Sequence, residues 1–311
     1  MNYVFGVDIG GTTVKLGLFD DIGTLLCKWE IPTRVSYRGE KILSDISQSI
    51  RDTMQRSGIA PDHVIGIGVG CAGAVDKNGT VHEPGNLGGG VFNIPELLGA
   101  KLNLPVKASN DVNVAALGEV WKGQSHNFQN VVVVALGTGV GGGIICDGRI
   151  IVGAGGVAGE IGHIHLEDNE TEACGCGCRG CLEQYASATG IVRLARRRLE
   201  KDNQVSILRS IPQLSAKDVF DAVKANDPVA IEIAEQFGSY LGKGLAIVAA
   251  TVNPEAFILG GGVSKAGDIL FDYIKPAYQN YSFKGIQNVE FKLAVLGNDA
   301  GIYGAAGLFL T

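Results

Sequence analysis

The stretch YVFGVDIGGTTVKLGLF, Tyr3 to Phe19, reads as two strands around a glycine turn: Tyr3 to Val7, then Gly10-Gly11-Thr12, then Val14 to Phe19. A third strand, Thr24 to Ile31, follows Asp21-Ile22-Gly23, so the chain opens as a strand meander. The second half repeats the pattern: VVVVA from Val131, the turn GTGVGGG, a strand GIIC ending at Cys146, and Asp147-Gly148 leading into RIIVG, with Asp8 aligned on Gly137. Such self-similarity predicts two halves of one architecture facing each other across a cleft. Glycine turns let backbone N–H groups approach and cradle phosphate oxygens, while an isolated Gly-Gly serves an ordinary hairpin equally well. Here Gly-Thr-Gly at Gly137 to Gly139 repeats the device, and Gly260-Gly261-Gly262 follows a buried strand, Ala256 to Leu259. Several such turns converging on one cleft are what a nucleoside triphosphate requires. The P-loop pattern GxxxxGK[ST] is absent, and no GxGxxG opens a helix after the first strand with the acidic partner a dinucleotide needs.

Periodicity fills the intervals. Ile42, Leu43, Ile46, Ile50 and Met54 recur at three- and four-residue spacing and predict an amphipathic helix over Gly39 to Arg56. A strand VIGIGVG begins at Val64, and Val106 to Ala108 predicts a short strand ending at Asn110-Asp111, followed by a helix over Val112 to Trp121. Asp111 thus falls at the carboxyl end of a strand, where open α/β sheets gather ligand groups. An aspartate there can accept the proton of a hydroxyl attacking phosphorus, or it can cap the helix that follows, and the residues leave both readings standing. Ser215 with Asp218 marks a helix start, Pro228 to Thr251 a long helix ending at Asn253-Pro254, and Ser264 a helix cap.

With 311 residues the chain is long enough for two domains with separate cores, and 46% hydrophobic and 19% charged residues exclude a disordered or coiled-coil chain. A net charge of -6 gives no footprint for nucleic acid or anionic lipid. The cluster Arg193, Arg196, Arg197 and Arg198 has helical spacing and is expected to form a solvated helix face. The amino terminus reaches Asp8 too early to build a signal peptide, and the most apolar run, Val131 to Cys146, is too short and glycine-broken to span a membrane. The expected location is the cytosol.

Four of the seven cysteines crowd into CGCGCRGC, Cys174 to Cys181, which suggests a metal clamp in a reducing compartment. One histidine and three cysteines in a short loop match tetrahedral Zn²⁺; a closed four-ligand site leaves no position for water, so the zinc would be structural. His165 competes with His163 as the imidazole ligand on spacing alone. Glu160 and Glu183 flank the clamp and are expected to act as rigidly held acceptors for a polar ligand. Cys27, Cys71 and Cys146 lie in or beside apolar runs and are expected to pack as small hydrophobes.

DIGGTTVKLGLFD from Asp8, the Asn110-Asp111 pair, EIGH from Glu160 to His163 and CxCGxxGCxE from Cys174 to Glu183 occur in this order over essentially the whole chain. On these residues the sequence resembles the ROK family (repressors, open reading frames, kinases), and within it the bacterial glucokinases. The resemblance implies an α/β fold of the actin-like, ribonuclease-H-like ATPase duplication, with two domains around a cleft. A small domain would span 1–115, with a last helix at 301–311 returning to it, and a large one, 116–300, would carry the zinc loop. It further implies ATP-dependent phosphorylation of a hexose, glucose to glucose 6-phosphate foremost, with N-acetylmannosamine or another aldohexose as the alternative substrate.

By the same resemblance Asp111 takes the place of the catalytic base, and Gly73, Asn86, Asn110, Glu160, His163 and Glu183 join it as sugar ligands. Asp8, Gly10, Gly11, Thr12, Lys15, Gly137, Thr138 and Gly139 resemble phosphate contacts, with Mg²⁺ bound by Asp8 through water, and Gly261 and Gly262 the adenosine-side turn. Zinc would be held by His163, Cys174, Cys176 and Cys181, with the second ring nitrogen of His163 facing the sugar; Cys178 occupies a variable position of the signature and stays outside the set. A homodimer acting on a small sugar and ATP is implied, with no nucleic-acid or membrane partner. The family's regulators carry a helix-turn-helix before the DxGGT motif, which here begins at Asp8, so the kinase reading is preferred to the repressor reading, and the presence of Asp111 and both glycine turns prefers it to a non-catalytic sugar-binding regulator.

Overall fold

A computed structural model describes residues 1–35, 40–83, 87, 90–123 and 127–311. The meander forms: β1 (Tyr3–Ile9) pairs antiparallel with β2 (Thr13–Asp20), and β2 antiparallel with β3 (Leu25–Pro32). After helix α1 (Glu40–Ser57), strand β4 (Val64–Cys71) joins β1 in parallel. A small antiparallel sheet of β5 (Ala74–Val75), β6 (Thr80–Glu83) and β7 (Phe92–Asn93) precedes helix α2 (Ile94–Leu102). Strand β8 (Val106–Asn110) then pairs in parallel with β4 and runs directly into α3 (Asp111–Lys122). The sheet order is β3-β2-β1-β4-β8.

The second half builds the same order. Strands β9 (Val131–Leu136), β10 (Val140–Cys146) and β11 (Arg149–Ile150) repeat the meander. Helices α4 (Glu183–Ala186), α5 (Ala188–Lys201), α6 (Ala216–Lys224) and α7 (Pro228–Val252) lead to β12 (Ala256–Gly260), and α8 (Ile269–Tyr281) to β13 (Glu290–Leu293). Helix α9 (Ala300–Leu310) follows. The second sheet reads β11-β10-β9-β12-β13, the order of the first, with β12 parallel to β9 and β13. One detail differs from the repeat read in the sequence. The turns 10–12 and 137–139 coincide, so Gly137 is the counterpart of Gly10, and Ala135 occupies the place of Asp8. Only the first repeat carries a carboxylate there.

The apolar residues of α1 do what their spacing predicts: Ile42, Leu43, Ile46, Ile50 and Met54 are all buried, against Phe5, Val7 and Ile9 of β1 and Leu16 and Leu18 of β2. On a smaller cluster Ile302 and Ala306 of α9 meet Val4 and Phe19. Glycines set how closely α9 approaches. A Cβ at Gly68 of β4 would stand 1.7 Å from the carbonyl oxygen of Ala305, and one at Gly304 would stand 1.5 Å from that of Val114 in α3. No side chain fits either place, so α9 seats backbone on backbone.

The described residues fall into two compact units: 1–129, 143–159 and 295–311 in the first, and 130–142 with 160–294 in the second. Helix α3 runs unbroken through the expected boundary at 115/116. Ser215 and Asp218 form the expected capping box of α6, and α7 ends at Asn253 in a left-handed cap. Ser264 caps nothing. It lies within a short 3-10 turn, and its hydroxyl donates to the Gly261 carbonyl at 2.8 Å, which removes it from the start of α8. Cys71 packs as a buried small residue, but Cys27 is exposed on β3, where a meander edge presents alternate side chains outward.

Candidate active site

Two carboxylates dominate the first unit. Asp8 is the penultimate residue of β1, and Asp111 is the first residue of α3, at the end of β8. The capping question is decided locally: Asn110 is the N-cap, its Oδ1 accepting from the N–H groups of Val112 at 2.9 Å and Asn113 at 3.2 Å, while its Nδ2 donates to the Gly73 carbonyl at 3.0 Å. Gly73 takes a positive φ of 102°, which a residue without Cβ adopts freely and which aims that carbonyl. Asp111 accepts from Val112 N–H at 2.9 Å, and burial nonetheless holds its pKa above the ordinary carboxylate value. Burial first, and then the charge of Asp111, raise Asp8 from 3.8 to about 6, with Lys15 opposing. The same surroundings push the Cys71 thiol, at the end of β4 beside both acids, up to about 12.

The turn after β1 is braced from outside. Gly10 N–H donates to Thr13 at 3.1 Å, and Thr33 donates its hydroxyl to the Gly10 carbonyl at 2.6 Å and its N–H to the Thr12 carbonyl at 2.9 Å. Gly11 and Thr12 are left exposed. Lys15 sits opposite Asp8 in the β1–β2 register and donates to the Asn298 carbonyl at 3.0 Å. Gly301, in the first turn of α9, lies so close to Asp8 that a Cβ there would stand 2.5 Å from Oδ2. Glu119 belongs to no motif of the sequence. Its buried carboxylate accepts the N–H groups of Val295 at 3.1 Å and Leu296 at 2.8 Å and so grips the segment leading into α9; the available signal was an acid inside the apolar stretch AALGEVW.

In the second unit the Gly137–Gly139 turn is held by the start of α5: Ala188 N–H donates to the Gly137 carbonyl at 2.8 Å, and the Thr189 hydroxyl to that of Thr138 at 2.7 Å. Gly261, at φ 85°, folds back onto Leu136, where a Cβ would stand 2.5 Å from the carbonyl oxygen. Gly262 borders a cavity of about 270 Å³ walled by Phe220 and Val263 and rimmed by Lys217, Lys224 and Lys265.

The cysteine loop gathers four candidate ligands. The ligand atoms of His163, Cys174, Cys176 and Cys181 all lie within 4.8 Å of one another, with Cys176 and Cys181 sulfurs 3.7 Å apart and Cys174 Sγ 3.8 Å from His163 Nδ1. His165 is engaged elsewhere, Nδ1 on the Arg179 carbonyl and Nε2 on Asp168, each at 2.8 Å. Cys178 is exposed and outside the group. His163 Nε2 faces Glu160 at 3.9 Å. Glu183 begins α4, accepts from Cys174 Sγ at 2.9 Å and approaches Val140 N–H at 3.4 Å, which joins the loop to the Gly137–Gly139 turn. Asn86 lies outside the described residues.

Residues 4–311 match the ROK family. The chain belongs to the ROK family. A glucokinase of Halalkalibacterium halodurans is 39% identical over 308 residues, 97% of this ROK chain and 93% of its own length. The crystal structure of a ROK family glucokinase from Streptomyces griseus, in complex with glucose and AMPPNP, aligns with a TM-score of 0.77 at 34% identity over 99% of both chains. A ROK hexokinase from Thermus thermophilus aligns at 0.82 with 31% identity, covering 98% of this chain and 96% of that one. The fold is therefore the actin-like ATPase architecture of the ROK sugar kinases, as the sequence led one to expect. Among the described residues no helix is long and apolar enough to cross a membrane.

Proposed function

We propose that this ROK protein phosphorylates glucose on its 6-hydroxyl with ATP, and that Asp111 is the general base. The observation that carries the reading is the Asn110–Asp111 pair: Asn110 is the cap of α3, so the half-buried Asp111 carboxylate stands at a strand end with one bond to the helix, from Val112 N–H. Burial raises its proton affinity, which suits a group that must take the hydroxyl proton as oxygen attacks phosphorus. Asn110 spends both lone pairs of its Oδ1 on backbone, and its side-chain amide serves both the Gly73 carbonyl and the Asp111 carboxylate, which ties the pair together. Gly73, Asn86, Glu160, His163 and Glu183 complete the proposed sugar ligands.

Asp8, Gly10, Gly11, Thr12 and Lys15 with Gly137, Thr138 and Gly139 would hold the phosphates, and Gly261 and Gly262 the adenosine side. The half-buried Asp8 and Asp111 carboxylates, near enough that the charge of Asp111 raises the pKa of Asp8, are a donor set of hard oxygens suited to Mg²⁺, which when bound neutralises charge on the transferred phosphoryl group. His163, Cys174, Cys176 and Cys181 suit structural zinc: with Zn–S of about 2.3 Å a tetrahedral S–S edge is about 3.8 Å, against 3.7 Å between Cys176 and Cys181, and with Zn–N of about 2.1 Å an S–N edge is about 3.6 Å, against 3.8 Å between Cys174 and His163. On this reading the enzyme works in the cytosol as a homodimer without nucleic-acid or membrane partners.

A coupled assay of ADP release over glucose, mannose, N-acetylglucosamine and N-acetylmannosamine tests the proposal. ADP release with glucose as the best substrate supports it. Release with N-acetylmannosamine at equal or greater kcat/KM moves the substrate while keeping the chemistry, and no release with any sugar removes the kinase.

A further inference from the structure

Two arginines of the α5 cluster expected to face solvent, Arg193 and Arg197, are turned onto the cysteine loop. Glu170, whose side chain is 1% exposed, accepts at Oε1 from Arg197 Nη2 and Glu172 N–H, each at 2.9 Å, and at Oε2 from Tyr185 OH at 2.6 Å, Arg197 Nη1 at 3.1 Å and Arg193. Arg193 also reaches Glu172 at 2.9 Å and the Gln184 carbonyl at 2.8 Å. Gln184 returns the connection: its Nε2 donates to the Glu172 carbonyl at 3.0 Å, and its Oε1 accepts from Cys181 N–H at 3.1 Å. The Tyr185 ring stacks on Tyr240 at 3.9 Å, and Tyr240 donates to Glu167 at 3.1 Å. Arg198 turns away, to Glu232 and Asp202, and Arg196 stays exposed as expected.

We propose that Glu170, Arg193 and Arg197 are positioning residues that fix Glu183, through its neighbours Gln184 and Tyr185, for sugar binding. The inference rests on the reading of Glu183 as a sugar ligand. A carboxylate withdrawn from water is costly unless every lone pair is engaged, and a fully engaged one admits only one geometry. Here that geometry binds both ends of the loop, at Glu172 and Cys181, to one turn of α5. The first turn of the same helix holds Gly137 and Thr138, so the network sets the register between the loop and the glycine turn with no ligand of its own.

The test is Glu170→Gln, which keeps the shape and removes the charge, measured beside Arg197→Lys, which keeps a charge and removes the fork. The expected result is a glucose KM raised about 10-fold with kcat within about twofold, and amide exchange at Glu172 and Cys181 faster by about 10-fold. A role confined to overall stability would lower the active fraction, and hence kcat, and leave KM in place. Should Glu170→Gln fail to fold, Arg197→Lys, on a guanidinium 41% exposed, carries the same two measurements. Folded variants with unchanged KM and unchanged exchange overturn the proposal. A wild-type protein inactive on every sugar removes the kinase reading instead, and the exchange rates still decide the network.

Discussion

Replacing Asp8 by Asn should stabilise the metal-free protein while destroying its activity. Asp8 titrates at about 6 when folded and at an ordinary 3.8 when unfolded, so folding takes up a proton, and stability is lost as pH rises from 3.8 through about 6. At about 1.4 kcal/mol per pH unit the loss amounts to about 3 kcal/mol at pH 8, and to only about 0.5 kcal/mol at pH 4. Asparagine has the same outline and no charge to desolvate. Urea unfolding in chelator-treated buffer at both pH values should therefore show the variant ahead of wild type by about 3 kcal/mol at pH 8 and nearly level at pH 4. Because Asp111 supplies part of the elevation, Asp111→Asn should recover a fraction of the same gain. A variant no more stable than wild type at pH 8, or an advantage that stays flat between the two pH values, would refute the electrostatic account.

Asp111→Asn should lower kcat at least about 100-fold while leaving glucose affinity within a few fold, read by steady-state kinetics beside calorimetric binding. Gly304→Ala places a methyl 1.5 Å from the Val114 carbonyl and should cost at least about 3 kcal/mol, a fall in Tm of roughly 6 to 12 °C by calorimetry; an unchanged Tm would mean that α9 is not seated as described. Cys176→Ala should abolish zinc in metal analysis of the purified protein and raise the glucose KM, and a wild type free of zinc would sink this prediction. For substrate choice, kcat/KM for glucose should exceed that for N-acetylmannosamine, since buried groups built for hydroxyls discriminate against a substrate that leaves them unpaired.

What could be read from the sequence was local or repeated. The meander, the glycine turns, the α1 stripe and the Ser215–Asp218 box each depend on residues within a few positions of one another, and each is found close to its expected bounds. Partners distant in sequence were invisible. Arg193 and Arg197 meet Glu170 more than twenty residues upstream, and a helical run of arginines looks like a solvated face until that acid is placed. Ser264 reads as a cap because it precedes a helical pattern, yet the positive φ of Gly261 brings a carbonyl within its reach first. In the site, spacing alone could not choose between His163 and His165, whereas the fold does so by giving His165 two other acceptors. The Asn110–Asp111 pair was visible as a pair, but which member caps α3 is a matter of backbone angles.

The glycine contacts of α9 also order events during synthesis. β4 is complete at Cys71, and α9 begins at Ala300. At about 5 to 20 residues per second a ribosome needs roughly 10 to 50 s to make the chain between them. Throughout that interval Val4 and Phe19 lack their cover and the grooves over Gly6 and Gly68 stand open, while the second sheet and its helices emerge. The sheet translated first is thus the last to be closed.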